Sequence, residues 1–411
     1  MSSPEPTTSP GTFDWNLSLL LSGQWISQMG NMCFTIAVYW MVLSATHSRA
    51  DLGFIGAAAG AAGLFSLVSG TLVDMWDRRT TMIVTDLLRF LLLAGAFWLF
   101  NGPHVPVLVI LFLVFAINVG GSLFSPAQYA LMPEIAPMES LQTVNGLDQS
   151  ATSLAQWMGY GVGGLAMAAL GPAGLTGIDA VTFFVSALTL FGIRVKKRPP
   201  ATHPHTFSDI ATSILAGQRT LWAHPFLKRA LPTALVVNLA MMTLTILDAA
   251  WAKQTLHGHA SLYGLLEGAA VIGAIVGGLV ATRLPSKWTL PRIIMSSLLV
   301  AGLAMLTMAA HPESGLSLGC LGVVGGSFGV LNATMNTTIQ RAVPGEILGR
   351  IGGSLMAVSA LATPVGALLA GWVGSLFPLP FVYGAAGALV VLMAAPFLAI
   401  SDQFTAIRGE R

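Results

Sequence analysis

The sequence predicts an all-α membrane protein of twelve transmembrane helices in two pseudo-symmetric six-helix bundles, and three observations carry that prediction. Of 411 residues, 54% are hydrophobic and only 9% are charged. A water-soluble surface needs roughly 25% charged residues. Apolar runs recur with short polar breaks along almost the whole chain, each about the 20 residues that a helix needs to cross a bilayer. The third observation is an internal repeat at about half the chain length. A transmembrane β-barrel is excluded, because its strands alternate apolar and polar residues over about ten positions.

The spans fall at about 15–45, 51–73, 80–101, 105–130, 142–170, 173–194, 228–252, 259–282, 291–310, 315–340, 347–376 and 379–400. Residues 1–13 read as a disordered tail rich in Ser, Thr and Pro, without the basic start of a cleavable signal peptide. Residues 14–194 form the first bundle, 195–226 a central linker, 227–400 the second bundle and 401–411 a closing tail. The linker follows the basic run Arg194-Val195-Lys196-Lys197-Arg198 and holds a possible surface helix around Phe207 to Trp222. Of the 19 basic residues, Arg49 and Lys253 alone fall in loops on one side. Short cytoplasmic loops are enriched in Lys and Arg, so both termini are expected in the cytoplasm of a cell whose plasma membrane holds the chain.

The repeat aligns Glu134 through Leu141 with Arg341 through Leu348, matching Pro137 to Pro344, Glu139 to Glu346 and Leu141 to Leu348. The same phase sets Gly146 opposite Gly353. A duplicated bundle with its ligand held between the halves is a common plan for secondary transporters.

Between the second and third spans, Gly70-Thr71-Leu72-Val73-Asp74-Met75-Trp76-Asp77-Arg78-Arg79 concentrates two acids and two arginines at a membrane surface. Its form, Gly-x-Leu-x-Asp-x-x-x-Arg-Arg, resembles the loop between the second and third helices of the major facilitator superfamily. Further matches narrow the branch. They are Thr85-Asp86-Leu87-Leu88-Arg89, Phe124-Ser125-Pro126-Ala127, Met132-Pro133-Glu134, Gln340-Arg341-Ala342-Val343-Pro344 and Leu348-Gly349-Arg350. Together they look like the bacterial macrolide-efflux and enterobactin-exporter members, over about Asn16 to Ile400. The resemblance implies proton-driven export of amphipathic or bulky organic molecules. It also implies a cytoplasmic gate in which Asp74 meets the N-terminal end of the eleventh helix near Gly349 and Arg350. Arg78 or Arg79 would then pair with Glu134. Asp86 and Arg89, three residues apart, are expected as a pair near the interface that joins the same gate, because each would cost roughly 2.5–3.5 kcal/mol if buried alone. Asn31 in Met29-Gly30-Asn31 stands where many relatives carry an acid, so the first helix offers no carboxylate for coupling.

On the fifth helix, Gly146, Ala155, Gly159, Tyr160, Gly163 and Gly164 follow the spacing of the superfamily's antiporter motif, with Ala155 in place of a glycine and Tyr160 in place of the proline. Small residues at this spacing serve close helix contact equally well. The first helix carries Gln24, Gln28, Asn31, Thr35 and Tyr39 on one face. Asn118 and Ser122 on the fourth helix, Asn238 on the seventh, and Asn332 and Asn336 on the tenth extend the polar set. Lipid cannot satisfy these groups. The superfamily's fold lines its cavity with helices one, four, seven and ten, so they are candidate cavity residues, with interhelical bonding as the other reading.

Glu267, isolated in an apolar run, is the leading candidate for proton coupling or for binding a cationic substrate. Asp248 is second, and Asp148 joins as a possible member of the gate network. Asp179 matches a sixth-helix pattern of the same exporters and is expected to fix structure near the outer surface. Two Gly-x-Ser-x-Gly matches, Gly315 to Gly319 and Gly325 to Gly329, lie within one apolar run and lack the strand-turn-helix setting that catalysis requires. His203, His205, His257 and His259 have no clustered third ligand. The reading is therefore a transporter and not an enzyme, with no cofactor, metal or nucleic-acid partner. Its partners are the bilayer, protons and a small drug-like or siderophore-like substrate, and it works as a monomer. A lipid or lysolipid flippase of the same fold, and a non-transporting sensor or scaffold, are the alternatives.

Overall fold

The computed structural model describes residues 15–102, 105–136, 140–194, 225–285, 288–342 and 345–400. Both tails, most of the linker and the surface helix expected around Phe207 to Trp222 lie outside the described residues. Among those described there is no strand. The helices are α1 (Trp15–Thr46), α2 (Arg49–Gly63), α3 (Ser66–Met75), α4 (Arg78–Phe100), α5 (Val107–Ile135), α6 (Leu141–Gly192), α7 (Pro225–Ala250), α8 (Ala260–Ala281), α9 (Leu290–Ala310), α10 (Ser314–Ala342), α11 (Gly345–Leu376) and α12 (Leu379–Leu392). A π-helical turn, Trp251–Thr255, extends α7, and a 3-10 turn, Ala395–Ile400, follows α12. Nine helices among the described residues are long and apolar enough to cross a membrane.

Two expected boundaries show how the chain turns, one within the second span and one, as expected, between the fifth and sixth. The second span is split into α2 and α3, yet Leu64 keeps helical dihedrals, and Leu64 and Phe65 donate to the carbonyls of Ala61 and Ala62. The path therefore continues through a tightened turn. The fifth and sixth spans are joined in α6, whose 52 residues would measure about 78 Å if straight at 1.5 Å per residue. That is more than twice the hydrocarbon thickness of about 30 Å. Gly171 has φ 63° and ψ −176°, in the region open to glycine, and Pro172 then starts the return leg.

Local chemistry fixes other ends. Ser48 accepts from the Asp51 amide to start α2. Asp77 accepts from the Thr80 amide at 2.9 Å and from the Thr80 hydroxyl at 2.6 Å to start α4. Such a cap contributes about 1 kcal/mol, so one acid of the charged loop is committed to the helix start.

The interior is asymmetric along the bundle. We call the end carrying Arg78, Arg79 and Arg194 the basic end, and the end carrying Arg49 and Lys253 the sparse end. The larger apolar core draws on both halves, with Tyr39, Leu52 and Ile55 from the first beside Leu247, Trp251, Tyr263, Ala367 and Tyr383 from the second. The second core, with Leu17, Leu20, Val73, Met82, Phe124, Leu131, Val144 and Leu190, belongs to the first half alone. Its members sit toward the basic end. The principal packing between halves is α2 on α11 and α6 on α8.

Candidate functional site: the junction between the halves

Backbone meets backbone where α2 crosses α11. A Cβ placed on Gly53 would fall 2.8 Å from the Ala367 carbonyl oxygen and 2.8 Å from the Gly371 Cα. The α6–α8 crossing repeats the device, since a Cβ on Gly164 would fall 2.9 Å from the Gly264 Cα and 3.0 Å from the Ala260 carbonyl oxygen. Only residues without side chains allow this approach.

A polar latch lies over this contact at the sparse end. Arg49 Nε donates to Gln254 Oε1 at 2.6 Å, and its Nη1 donates to the carbonyls of Gly374 at 2.8 Å and Phe377 at 3.1 Å. Lys253 Nζ donates to Ser44 Oγ and lies 5.1 Å from the centre of the Trp40 ring. Each cation thus reaches from its own half to the other. Sequence reasoning treated these two residues only as orientation markers. The one available signal was that they are the sole basic residues in loops on that side. Arg49→Ala is expected to lengthen and broaden the distance between spin labels placed on either half at this end. An unchanged distance distribution would remove Arg49 from the latch.

Beneath the latch lies a cluster of acids and aromatic rings. Asp248 is buried and accepts from the Tyr383 hydroxyl at 2.6 Å. The Tyr383 ring stacks on Trp251 with centroids 4.4 Å apart, and Trp251 Nε1 donates to Ser317 Oγ at 3.2 Å. Glu267, half-buried one turn beyond Gly264, has Asp248 as the charged group acting on it. Tyr39, Tyr160 and Tyr263 feel the Glu267 charge in turn. Helices from both halves therefore surround two carboxylates at the junction. The rings were not legible as a site, because an aromatic residue in an apolar helix looks the same whether it faces lipid, core or ligand.

At the basic end, Arg78 pairs with Glu134 at 2.5 Å and donates to the Ala130 carbonyl at 2.7 Å. Arg79 donates to the carbonyls of Leu190 at 2.9 Å and Phe191 at 2.7 Å. Both arginines thus set a cation over carbonyls in the last turns of α5 and α6, where positive charge is favoured. All of these partners belong to the first half, so this pair does not itself bridge the halves. The side chains of Asp74 and Arg350, which the gate requires, lie outside the described residues.

Asp86 and Arg89 correct the expectation of an interfacial gate pair. They lie about two and three turns into α4, with Asp86 1% exposed, and are 3.6 Å apart. Ser186 Oγ donates to Asp86 Oδ2 at 2.6 Å, and Arg89 Nε donates to the Ile117 carbonyl at 3.1 Å. The guanidinium also lies 4.9 Å from the centre of the Phe183 ring. Asp179 is fully buried, packs against Gly30 of α1 and acts on Arg89. The pairs hold inside the bundle because α4, α5 and α6 supply donors and rings that lipid cannot. Asp148 is half-buried near the basic end of α6, and its Oδ1 has no hydrogen-bond partner.

The polar stripes divide. Gln28, Asn31 and Thr35 are half-buried, and Thr35 Oγ1 donates to the Asn31 carbonyl at 2.9 Å. Gln24, Tyr39 and Ser122 are buried rather than open to a crevice, and Ser122 bonds its own helix at Val119. Asn118 is exposed and bonds its own helix at Val114. Asn238 and Asn332 are exposed, and the Asn336 side chain lies outside the described residues. On α6, Gly159 packs on Met29 and Gly163 on Cys33, while Gly146 meets nothing within 4 Å. Close helix contact accounts for Gly159, Gly163 and Gly164, and Tyr160 joins the ring cluster.

A family model described as transmembrane secretion effector matches residues 16–406. The multidrug efflux pump Tap of Mycobacterium tuberculosis is 26% identical over 366 residues, covering 86% of this chain and 85% of that protein. Macrolide efflux protein A of Streptococcus pyogenes is 22% identical over 373 residues, covering 87% and 89%. Among solved structures, the nucleoside transporter NupG superposes with a TM-score of 0.75 at 13% identity, covering 94% of this chain and 99% of that one. A bacterial homologue of the lysosomal transporter Spinster, described as inward-facing, gives 0.69 at 14% identity and covers 96% and 97%. Since the family model covers nearly the whole chain and the fold agrees with it, the chain belongs to the transmembrane secretion effector family of the major facilitator superfamily.

Proposed function

We propose that the protein exports amphipathic drug-like or siderophore-like molecules from a bacterial cytoplasm in exchange for protons. It does so as a monomer of twelve crossings, with both termini in the cytoplasm. The halves, residues 14–194 and 227–400, rock about the junction and are tied by the linker between them. The basic end is the cytoplasmic one, and the closed sparse end makes the present conformation open inward. The observation that carries this reading is the pair of carboxylates, Glu267 and Asp248, held together beneath a latch that both halves build.

The coupling follows from charge. Closing the sparse end removes both acids from outer water and sets them among rings, where two ionised neighbours repel in a low dielectric. A proton taken from outside relieves that repulsion and favours closure. A bound substrate, above all a cationic one, makes the ionised pair favourable and returns the proton inward. Each ligand shifts the equilibrium only by its differential affinity for the two states. Gln28, Asn31 and Thr35 of α1 would meet the polar groups of the cargo. When the complex opens outward, the sparse-end contacts part, and Asp74 closes on the start of α11 near Arg350.

Purified protein in liposomes, loaded with a panel of macrolides, tetracyclines and dyes, tests the reading under an imposed pH gradient. Flux against the substrate gradient, driven by inward proton flow, is expected. Flux of any panel member that ignores the pH gradient would contradict proton exchange.

A further inference from the structure

We infer that the first bundle holds a proton of its own on Asp179, in a site built with Asp86 and Arg89 and separate from the Glu267–Asp248 pair. The first reason is charge count. Asp179 is fully buried and Asp86 is 1% exposed. The guanidinium of Arg89 is the cation that acts on both, and it is itself held inside the bundle. Among the described residues the other elements packed there add no positive charge. From α1 the titratable neighbour is the buried thiol of Cys33, which feels Asp179, and α5 contributes the Ile117 carbonyl and the Phe124 ring. Two carboxylates and one guanidinium leave one negative charge uncompensated. A buried unpaired ion is far costlier than a neutral carboxyl in the same place.

The second reason is hydrogen bonding. Among the described residues Asp179 Oδ2 is buried with no hydrogen-bond partner, whereas Asp86 Oδ1 faces Arg89 Nη1 at 3.6 Å. Buried polar atoms are almost always satisfied, so the orphaned oxygen of Asp179 points to a bound species. Among the described residues no group of His, Cys, Asp and Glu could hold a metal ion. The ligand that fits is a proton.

The partners say which acid carries it. Asp86 has the ion-pair contact with Arg89 at 3.6 Å and a short bond from Ser186 at 2.6 Å, both of which favour its ionised form. Asp179 receives only the Thr182 hydroxyl at 3.2 Å, and that hydroxyl also donates to the Asp179 carbonyl at 2.7 Å. Asp86 is therefore the counter-ion and Asp179 the neutral acid. Its contact with α1 gives an exit. A Cβ on Gly30 would lie 2.7 Å from Asp179 Oδ1, and Asn31 follows directly on that helix. Displacement of α1 would uncover the proton toward the polar stripe. The site binds its proton whether or not proton flow drives transport.

Infrared spectra of the full chain in lipid at neutral pH, with isotope-labelled aspartate, test the assignment. A label-sensitive band of a protonated carboxyl is expected in the wild type and in Asp248→Asn. In the Asp248→Asn background, which removes the other aspartate of the junction, it should vanish when Asp179→Asn is added. It should vanish there also when Asp86→Asn is added, although Asp179 is intact, because Asp179 then becomes the counter-ion of Arg89. A merely structural role would not produce that second loss. No labelled band in Asp248→Asn, or one that survives the addition of either Asp179→Asn or Asp86→Asn to it, overturns the proposal.

Discussion

Gly53→Val is expected to abolish export almost completely while leaving the protein folded in the membrane. The new side chain would start 2.8 Å from a carbonyl oxygen and from a Cα of the opposite half, and neither is a flexible side-chain end that can swing away. Overpacking of this kind costs about 1–3 kcal/mol, which shifts an equilibrium roughly 5- to 150-fold. The clash exists only while the sparse end is closed, so the halves can escape it by parting there. That escape stalls the cycle in the outward-open state. Gly371→Val should act in the same way, since its Cβ would meet the Gly53 amide at 2.8 Å. Flux in liposomes measures the loss, and wild-type flux in Gly53→Val would show that the contact is not part of the cycle.

Glu267→Gln should remove the response of export to the pH gradient while sparing exchange of substrate down its own gradient. Glutamine keeps the shape and the polar contacts but cannot take a proton, and it frees Asp248 from its charged neighbour. Uphill transport should fall to the level of liposomes without a pH gradient, at least roughly tenfold below the wild type, the effect of about 1.4 kcal/mol of lost coupling. Asp248→Asn also breaks the bond from Tyr383, so its effect would mix coupling with packing. Unchanged pH-driven uphill export in Glu267→Gln would remove that residue from the mechanism.

The parts of this structure that were legible in the sequence are those fixed by local chemistry. Hydropathy located the spans because each must cover the bilayer core with apolar residues. The charged loop after α3 stood out because its acids and arginines interrupt two apolar runs. The depth of side chains was harder to read. Asp86 and Arg89 looked interfacial because burial of lone charges is costly, and the compensation from Ser186, Ile117 and Phe183 comes from helices distant in sequence. The neighbours of Asp179 were not readable either, since they depend on how the return leg of α6 lies against α1. The ring cluster needed helix rotations that no periodicity supplies, because α7 and α8 are apolar nearly all round. The junction glycines were visible as small residues, but not their partners across the halves. Gly171 and Pro172 read as the end of one span and the start of the next, and the non-helical backbone at Gly171 between the two legs of α6 shows how little chain that reversal takes.

The central claim is that the halves part at one end when they close at the other. Double electron–electron resonance between spin labels on the two halves, one pair at the sparse end and one at the basic end, tests it directly in lipid. The account predicts short distances at the sparse end with long ones at the basic end in this state, and a reciprocal exchange of the two when substrate and pH are varied. Distances that stay fixed at both ends, or that lengthen and shorten together, would contradict it.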